Sequence, residues 1–112
     1  MFELSAAIGD LSDRARGKNL QPVEVSGGTF TIPNPGVFGS IIGTPIINQP
    51  QLAILCVGAV EKRPMVFEDA VVVRTQSFLT LGFDHRVLDG AVADQFMSIV
   101  KRNIEQFDEA LI

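Results

Sequence analysis

The stretch "GFDHRVLDGA" (residues 82–91) contains the single histidine of this chain. His85 follows a strand-like apolar run, and Asp89 stands four positions later, before a glycine and a helix-like segment. A neutral imidazole can accept a proton from a thiol or a hydroxyl if one ring nitrogen is held by an acceptor and the other is bare. Asp84, Asp89 or a backbone carbonyl is the predicted acceptor. A histidine base at a strand-to-helix junction is therefore one interpretation of this stretch.

The same residues also have a purely structural interpretation. Asp89 followed by Gly90 is typical of a helix start, where the aspartate accepts a hydrogen bond from a backbone N–H two or three residues on. Asp84 and Arg86 can form a surface ion pair, and His85 can be a partly buried spacer between them. A lone H-x-x-x-D-G pattern does not separate the two interpretations, and they are compatible with each other.

The elements that must position these residues follow from the periodicity of the sequence. Apolar residues at helical spacing predict helices over residues 3–16 and 91–107. Runs rich in β-branched and aromatic residues predict strands: 29–32, 52–60, 65–75 (folded back at Glu68-Asp69) and 77–84. This order predicts the α/β class, as a two-layer sandwich with helices on one face of a mixed, mainly antiparallel sheet.

Residues 27–50 form a long segment rich in glycine and proline that nevertheless contains apolar pairs such as Val37-Phe38 and Ile41-Ile42. A long loop of this kind inside a compact domain is usually functional or is ordered by a partner. Its apolar content argues against a flexible linker.

Composition restricts the function classes. The 112 residues, 46% hydrophobic and 20% charged, predict one globular domain with a modest core. A net charge of −4 argues against a nucleic-acid surface or a basic membrane-binding patch. One cysteine, Cys56, lies in an apolar run and is expected to be a buried small hydrophobe, and with a single histidine no metal site is predicted. We see neither a transmembrane stretch nor a targeting segment.

The segment "DHRVLDG" after an apolar strand resembles the D-H-R-x-x-D-G motif of the dihydrolipoamide acyltransferase family. These proteins are the catalytic cores of 2-oxo acid dehydrogenase complexes and belong to the chloramphenicol-acetyltransferase-like superfamily. "GGTFTIPNPGVFGS", "GTPIINQPQLAILCVGAVEKRPMV" and the closing helix are similar to the same family in the same order. The resemblance covers residues 3–107 and is nearest to the succinyl-transferring type. It implies that residues 1–112 are one partial domain, the C-terminal half of the catalytic domain.

The resemblance also implies a reaction. An acyl group (succinyl, acetyl or branched-chain) would pass between dihydrolipoamide and coenzyme A, both of them substrates, and no metal would be required. His85 would be the general base on the thiol, and Asp89 would orient the site. Asp84 and Arg86 would stabilise the turn, and Gly90 would let another backbone segment pass closely.

One position departs from the family pattern. In the family a Ser or Thr hydroxyl just after the "F-T-I" strand stabilises the oxyanion, but here that position is Pro33, which has neither a hydroxyl nor a backbone N–H. Thr31, Asn34 and Ser40 are the replacement candidates, together with Thr44. Pro33 and the half-length of the chain leave a second hypothesis open, a non-catalytic assembly module of the same family. A third hypothesis is a related acyltransferase with a different acceptor, such as an antibiotic hydroxyl.

The family resemblance finally implies partners and a location. In the family the active site forms between neighbouring subunits of a trimer, which implies a homotrimer or trimer-based core together with other components of the complex. The apolar loop "SIIGTPIINQP" suits such a contact. The implied location is the cytoplasm of a bacterium or archaeon, or the mitochondrial matrix of a eukaryote.

Overall fold

The computed structural model describes residues 2–108. These residues contain two helices, four strands and two short 3-10 helices. In chain order the helices and strands are α1 (Phe2–Arg16), β1 (Ala53–Val57), β2 (Glu61–Phe67), β3 (Ala70–Gln76), β4 (Leu79–Phe83) and α2 (Gly90–Glu105). The 3-10 helices are Pro22–Val25 and Pro35–Phe38. The contacts divide the described residues into two compact units, one of residues 29–97 and one of residues 2–28 and 98–108. The single domain expected for the whole chain stays a prediction.

The centre of the larger unit is β1, which pairs antiparallel with β4, with Leu55 opposite Leu81. Ile54 and Cys56 are 4% and 2% exposed, and the buried apolar residues around them are Ala53, Leu55 and Ala59. The prediction that the run 52–60 contains a strand covered on both faces is confirmed, and so is the prediction of a buried Cys56. This strand is the rigid element beside which the histidine turn lies.

The segment "TFTI" is not the strand that the sequence predicted. Thr31 forms a single parallel bridge to Ile54, and the carbonyls of Thr31 and Pro33 accept hydrogen bonds from the N–H groups of Leu55 (3.1 Å) and Val57 (3.0 Å). A ladder needs donors on both sides, and Pro33 has no N–H with which to continue it. The segment therefore lies beside β1 on the side opposite β4, with one bridge only.

β2 and β3 form a separate hairpin, in register from Glu61 opposite Gln76 to Phe67 opposite Ala70. Glu68 and Asp69 connect the strands with φ values of 47° and 61°, the left-handed pair of a two-residue type I′ turn. The predicted fold-back at this dipeptide is confirmed. The α/β class with antiparallel pairing is also confirmed, but the strands form two two-stranded sheets instead of one. The placement of the helices on one face stays a prediction.

The break between the two sheets comes directly after β1. The N–H of Gly58 donates to the carbonyl of Phe78 (2.8 Å), and the N–H of Ala59 donates to the carbonyl of Ser40 (2.8 Å). The backbone thus turns from β4 toward the 27–50 loop before β2 begins. Because these donors are already bonded, the run 52–60 cannot continue into the hairpin as one strand.

In the smaller unit, α1 ends close to its predicted position. The N–H of Gly17 donates to the carbonyl of Asp13 (3.0 Å), but Lys18, with φ of 56°, takes the left-handed conformation that ends the helix. Arg14 donates to Asp10 (2.9 Å) and Glu24 (2.7 Å), and its hydrogen bonds lower the pKa of Glu24 to about 2. Across residues 2–108, no helix combines the length and the apolar run that a bilayer span requires.

Candidate active site

The turn between β4 and α2 is fixed by backbone hydrogen bonds around Asp84. Its N–H donates to the carbonyl of Leu52 (2.9 Å), which continues the β1–β4 pairing by one step. Its carbonyl accepts from the N–H groups of Val87 and Leu88, both at 3.0 Å. His85 is the first residue beyond this point and is exposed. The turn therefore presents the histidine at the end of a rigid strand, as its sequence position predicted.

Asp84 and Arg86 form the predicted ion pair. The Asp84 carboxylate accepts hydrogen bonds from Nε (2.9 Å) and Nη2 (2.6 Å) of Arg86, and from its backbone N–H (3.0 Å). The guanidinium bonds, followed by the backbone bond, lower the pKa of Asp84 to about 2. The side-chain hydrogen bond to Asp84 and the carboxylate's charge raise the pKa of Arg86. Asp84 is thus an ionised residue that stabilises the turn from both its side chain and its backbone.

Asp89 is the N-cap of α2, which confirms the structural interpretation of this residue. Its Oδ1 accepts from the N–H of Val92 (2.8 Å), and its carbonyl accepts from the N–H of Ala93 (3.2 Å). The helix begins at Gly90. Within residues 2–108 a Cβ on Gly90 would have no atom within 4 Å, so the close backbone passage expected there does not occur inside this chain.

The imidazole of His85 has no hydrogen-bond partner within residues 2–108; its contact is with the ring of Phe83. The two ring centroids lie 5.2 Å apart at an interplanar angle of 39°. The expected acceptors, Asp84 and Asp89, bond to Arg86 and to the helix start instead. Sequence reasoning missed Phe83, although a signal existed, since an aromatic two positions before a residue in an extended segment lies on the same side.

The oxyanion candidates differ in what their side chains already do. The hydroxyl of Thr31 donates to Oε1 of Gln51 (2.6 Å), so its proton is used within the chain. Asn34 is exposed at the start of the 3-10 helix Pro35–Phe38 and makes no side-chain cap hydrogen bond. Ser40 is exposed, and its carbonyl accepts from Ala59. Thr44 is also exposed.

The Pro33 position and His85 lie far apart within one chain. The Pro33 carbonyl bonds to Val57 at one end of β1, whereas Asp84 bonds to Leu52 just before the other end. The extended stretch from 52 to 57 is roughly 16 Å long, and the Pro33 segment and β4 are two strand spacings apart, roughly 10 Å. A side chain at position 33 therefore lies roughly 15–20 Å from His85. A hydroxyl there could not reach a group bound at the same chain's histidine.

The Gly/Pro-rich loop is held tightly against the strands, as its apolar content indicated. The Thr80 hydroxyl donates to the Gly43 carbonyl (2.6 Å). A Cβ on Gly36 would lie 2.5 Å from the Ala59 nitrogen, so the loop and the end of β1 are in backbone contact. Phe38 and Ile46 are nonetheless 90% and 91% exposed. The loop is thus ordered by β1 and β4 and presents apolar side chains outward.

Among residues 2–108 the structure contains no group of three or more His, Cys, Asp or Glu side chains that could hold a metal ion. The turn offers one exposed imidazole, that of His85, because the carboxylates of Asp84 and Asp89 already bond to Arg86 and to the start of α2. Such a group can take a proton from a bound thiol or hydroxyl, provided that a neighbouring surface supplies the rest of the site.

The site combines a histidine at a strand-to-helix turn with an aspartate that caps the helix. We compared the chain with known protein families and solved structures. The family model described as 2-oxoacid dehydrogenases acyltransferase (catalytic domain) matches residues 1–112. The chain belongs to this family. The resemblance in the motif, in the loop and in strand β1 is thereby confirmed.

The relatives include a protein named as a succinyltransferase and one named as an acetyltransferase. The probable mitochondrial dihydrolipoyllysine-residue succinyltransferase component of the 2-oxoglutarate dehydrogenase complex of Schizosaccharomyces pombe is 45% identical over 94% of this chain and 23% of its own length. The dihydrolipoamide acetyltransferase of Azotobacter vinelandii is 34% identical with a TM-score of 0.89, over 98% of this chain and 45% of that chain.

A third relative is a truncated catalytic core of the 2-oxoacid dehydrogenase multienzyme complex of Thermoplasma acidophilum. It is 45% identical with a TM-score of 0.81, over 93% of this chain and 45% of that chain. The present chain thus spans less than half the length of these solved cores and about a quarter of the S. pombe relative. The structural neighbours are cores of multienzyme complexes.

Proposed function

We propose that this chain supplies the histidine-bearing half of an acyltransferase active site that moves an acyl group between dihydrolipoamide and coenzyme A. The observation that carries the proposal is the exposed His85 at the end of β4, in a turn stabilised by Asp84 and Arg86. Membership of the acyltransferase family supports the reaction class.

In the proposed reaction His85 accepts the proton of the attacking thiol, from coenzyme A or from dihydrolipoamide. The thiolate attacks the thioester carbonyl of the other substrate, and a tetrahedral oxyanion forms. When this intermediate collapses, the acyl group has moved and the leaving thiolate takes the proton back from the imidazolium. Asp89, four residues after the histidine, caps the start of α2, and Asp84, the residue before the histidine, closes the turn.

One relative supports the assignment of the histidine and of the aspartate position. In the A. vinelandii enzyme a serine, a histidine and an asparagine have been investigated for their role in the catalytic mechanism. The histidine and the asparagine of that enzyme are four positions apart, as are His85 and Asp89. The serine precedes the histidine there by 52 positions, and the same count back from His85 leads to Pro33.

We further propose that the site is completed by a second copy of the chain, in a trimer or a trimer-based core. The separation of roughly 15–20 Å between position 33 and His85 within one chain supports this, because a donor at position 33 could not reach the histidine of its own chain and would have to serve that of a neighbour. The outward apolar side chains of that loop, among them Phe38 and Ile46, suit a subunit contact. Other components of a 2-oxo acid dehydrogenase complex would be further partners.

A second candidate function is a non-catalytic assembly module of the same family. Pro33 favours it, because loss of an oxyanion donor typically costs about a hundred- to a thousandfold in rate. Asn34 and Ser40 keep the enzymatic proposal open, since neither side chain forms a hydrogen bond within residues 2–108. The acyl group would be succinyl, acetyl or branched-chain, and the location the cytoplasm or the mitochondrial matrix.

The test is acyl transfer from an acyl-CoA to dihydrolipoamide, measured on the chain and on its His85→Ala and Pro33→Ser variants. The proposal expects His85→Ala to abolish transfer and Pro33→Ser to raise it. Activity that survives His85→Ala would refute the general-base assignment. Transfer absent from all three, in a protein that sizes as a trimer by light scattering, would favour the assembly module. A monomer under all conditions would refute the shared site.

A further inference from the structure

We propose that Phe83 is a positioning residue for His85: its ring sets the orientation of the imidazole. This inference rests on the proposed function, because it assigns to Phe83 a part in the same proton transfer. It starts from one observation, the ring contact of 5.2 Å at 39° between these two side chains.

The backbone of His85 is fixed, but its ring is not fixed by hydrogen bonds. The turn is closed by the bonds of Asp84 to Leu52, Val87 and Leu88. Within residues 2–108 no donor or acceptor bonds to either imidazole nitrogen, and the two nearest carboxylates in sequence have other partners. An exposed histidine held only at its backbone would sample several side-chain rotamers. Some other contact must select among them.

Phe83 is the residue in place to do so. It is the last residue of β4, is half-buried, and pairs with Ala53 across the β1–β4 ladder, so its own position is determined by the sheet. Its ring lies at a centroid distance and tilt typical of favourable aromatic pairs. The energy of such a pair corresponds to a preference of roughly 2- to 12-fold for the rotamer that makes it.

An aromatic neighbour can set the orientation of the imidazole without bonding to either of its nitrogens. A carboxylate or hydroxyl at this place would occupy one imidazole nitrogen, whereas a phenyl ring orients the imidazole by ring contact and leaves both nitrogens available. One nitrogen then remains free for the substrate thiol and the other for an acceptor beyond this chain. Phe83 thus positions the base without contacting the substrate.

The experiment uses three variants of the full chain: Phe83→Leu, which keeps an apolar side chain but removes the ring, Phe83→Tyr, which keeps the ring, and Phe67→Leu as the control. Phe67 is an aromatic of the β2–β3 hairpin whose ring contacts Arg74 instead of the histidine. Because His85 is the only histidine, its imidazole proton signals are identified without ambiguity by nuclear magnetic resonance.

We expect Phe83→Leu to move the imidazole signals to the positions of a histidine in an unstructured peptide and to lower kcat by roughly 2- to 12-fold with KM unchanged. Phe83→Tyr should keep both the signals and kcat. The control should change neither. Nuclear Overhauser contacts between the Phe83 and His85 rings should be present in the parent chain.

Unchanged imidazole signals in Phe83→Leu, or an equal loss of kcat in Phe67→Leu, would overturn the inference. If Phe83→Leu fails to fold, the ring contacts in the parent chain and in Phe83→Tyr decide instead, and their absence overturns it. A parent chain without acyl transfer would refute the proposed function alone, since the imidazole signals would still report whether Phe83 orients the ring.

Discussion

Replacing Asp89 tests how the start of α2 depends on one side chain. Asp89→Ala removes the Oδ1 that accepts from the Val92 N–H, together with a negative charge at the positive end of the 16-residue helix. Asp89→Asn keeps an oxygen acceptor at the same place and removes only the charge. The pair of substitutions therefore separates the hydrogen bond from the charge.

The magnitude follows from these two contributions. An N-cap side chain is worth about 1 kcal/mol, and a charge at a helix N-terminus contributes about 0.5 kcal/mol more. Asp89→Ala should lower the free energy of unfolding by about 1.5 kcal/mol, which for a chain of this size is a fall in Tm of roughly 6–9 °C. Asp89→Asn should cost about 0.5 kcal/mol and roughly 2–3 °C, because asparagine caps helices about as well as aspartate.

The assay is thermal and urea unfolding followed by far-UV circular dichroism, with Asp94→Ala as the matched control. Asp94 is an exposed aspartate of the same helix whose side chain forms no hydrogen bond within residues 2–108, so its loss changes the charge equally without touching the cap. The control should lie close to the parent chain. If Asp89→Ala unfolds with the parent, or Asp89→Asn loses as much stability as Asp89→Ala, the capping argument is wrong.

Three further substitutions have expected outcomes. Gly58→Ala should lower stability by at least about 1–3 kcal/mol in urea unfolding, because its Cβ would overlap the backbone carbonyl of Ile41, which cannot move aside cheaply. Thr80→Val should cost about 1–3 kcal/mol in the same assay, since the Gly43 carbonyl would lose its hydroxyl donor. Asp84→Asn should reduce the loss of unfolding free energy at acid pH. The pKa of Asp84 in the folded chain, about 2, lies below its ordinary value of 3.8, so the carboxylate stabilises the fold above about pH 4. This stabilisation is lost as the pH falls through 2.

Each of these outcomes has a result that contradicts it. A Gly58→Ala chain as stable as its parent would show that Ile41 of the loop does not lie against the backbone of Gly58. Thr80→Ser keeps the hydroxyl and serves as the control for Thr80→Val. Equal losses of unfolding free energy in the two variants would show that the hydrogen bond to Gly43 does not stabilise the fold. For Asp84, the urea midpoint is measured at about pH 6 and at about pH 2.5 in the parent and in Asp84→Asn. If the midpoint falls by the same amount in both chains, the stabilising role of the Asp84 carboxylate is refuted.

The sequence by itself determined the local features of this chain. The N-cap at Asp89, the two-residue turn at Glu68-Asp69 and the buried strand around Cys56 were all predicted, because each depends on residue types within a few positions of one another. The motif around His85 was recognisable for the same reason. Its first residues form a turn that Asp84 and Arg86 stabilise, and its last residue, Gly90, begins α2.

Only the tertiary structure decided how distant segments share backbone donors. The "TFTI" run has strand-forming residues, yet it makes one bridge because Pro33 cannot return a hydrogen bond to β1. The same packing brings the Thr31 hydroxyl to Gln51 and places position 33 roughly 15–20 Å from His85. These are properties of which groups meet across the sheet. Residue types along the chain state what each group can donate or accept, but the partner it finds depends on strand register and on how the loop folds over β1.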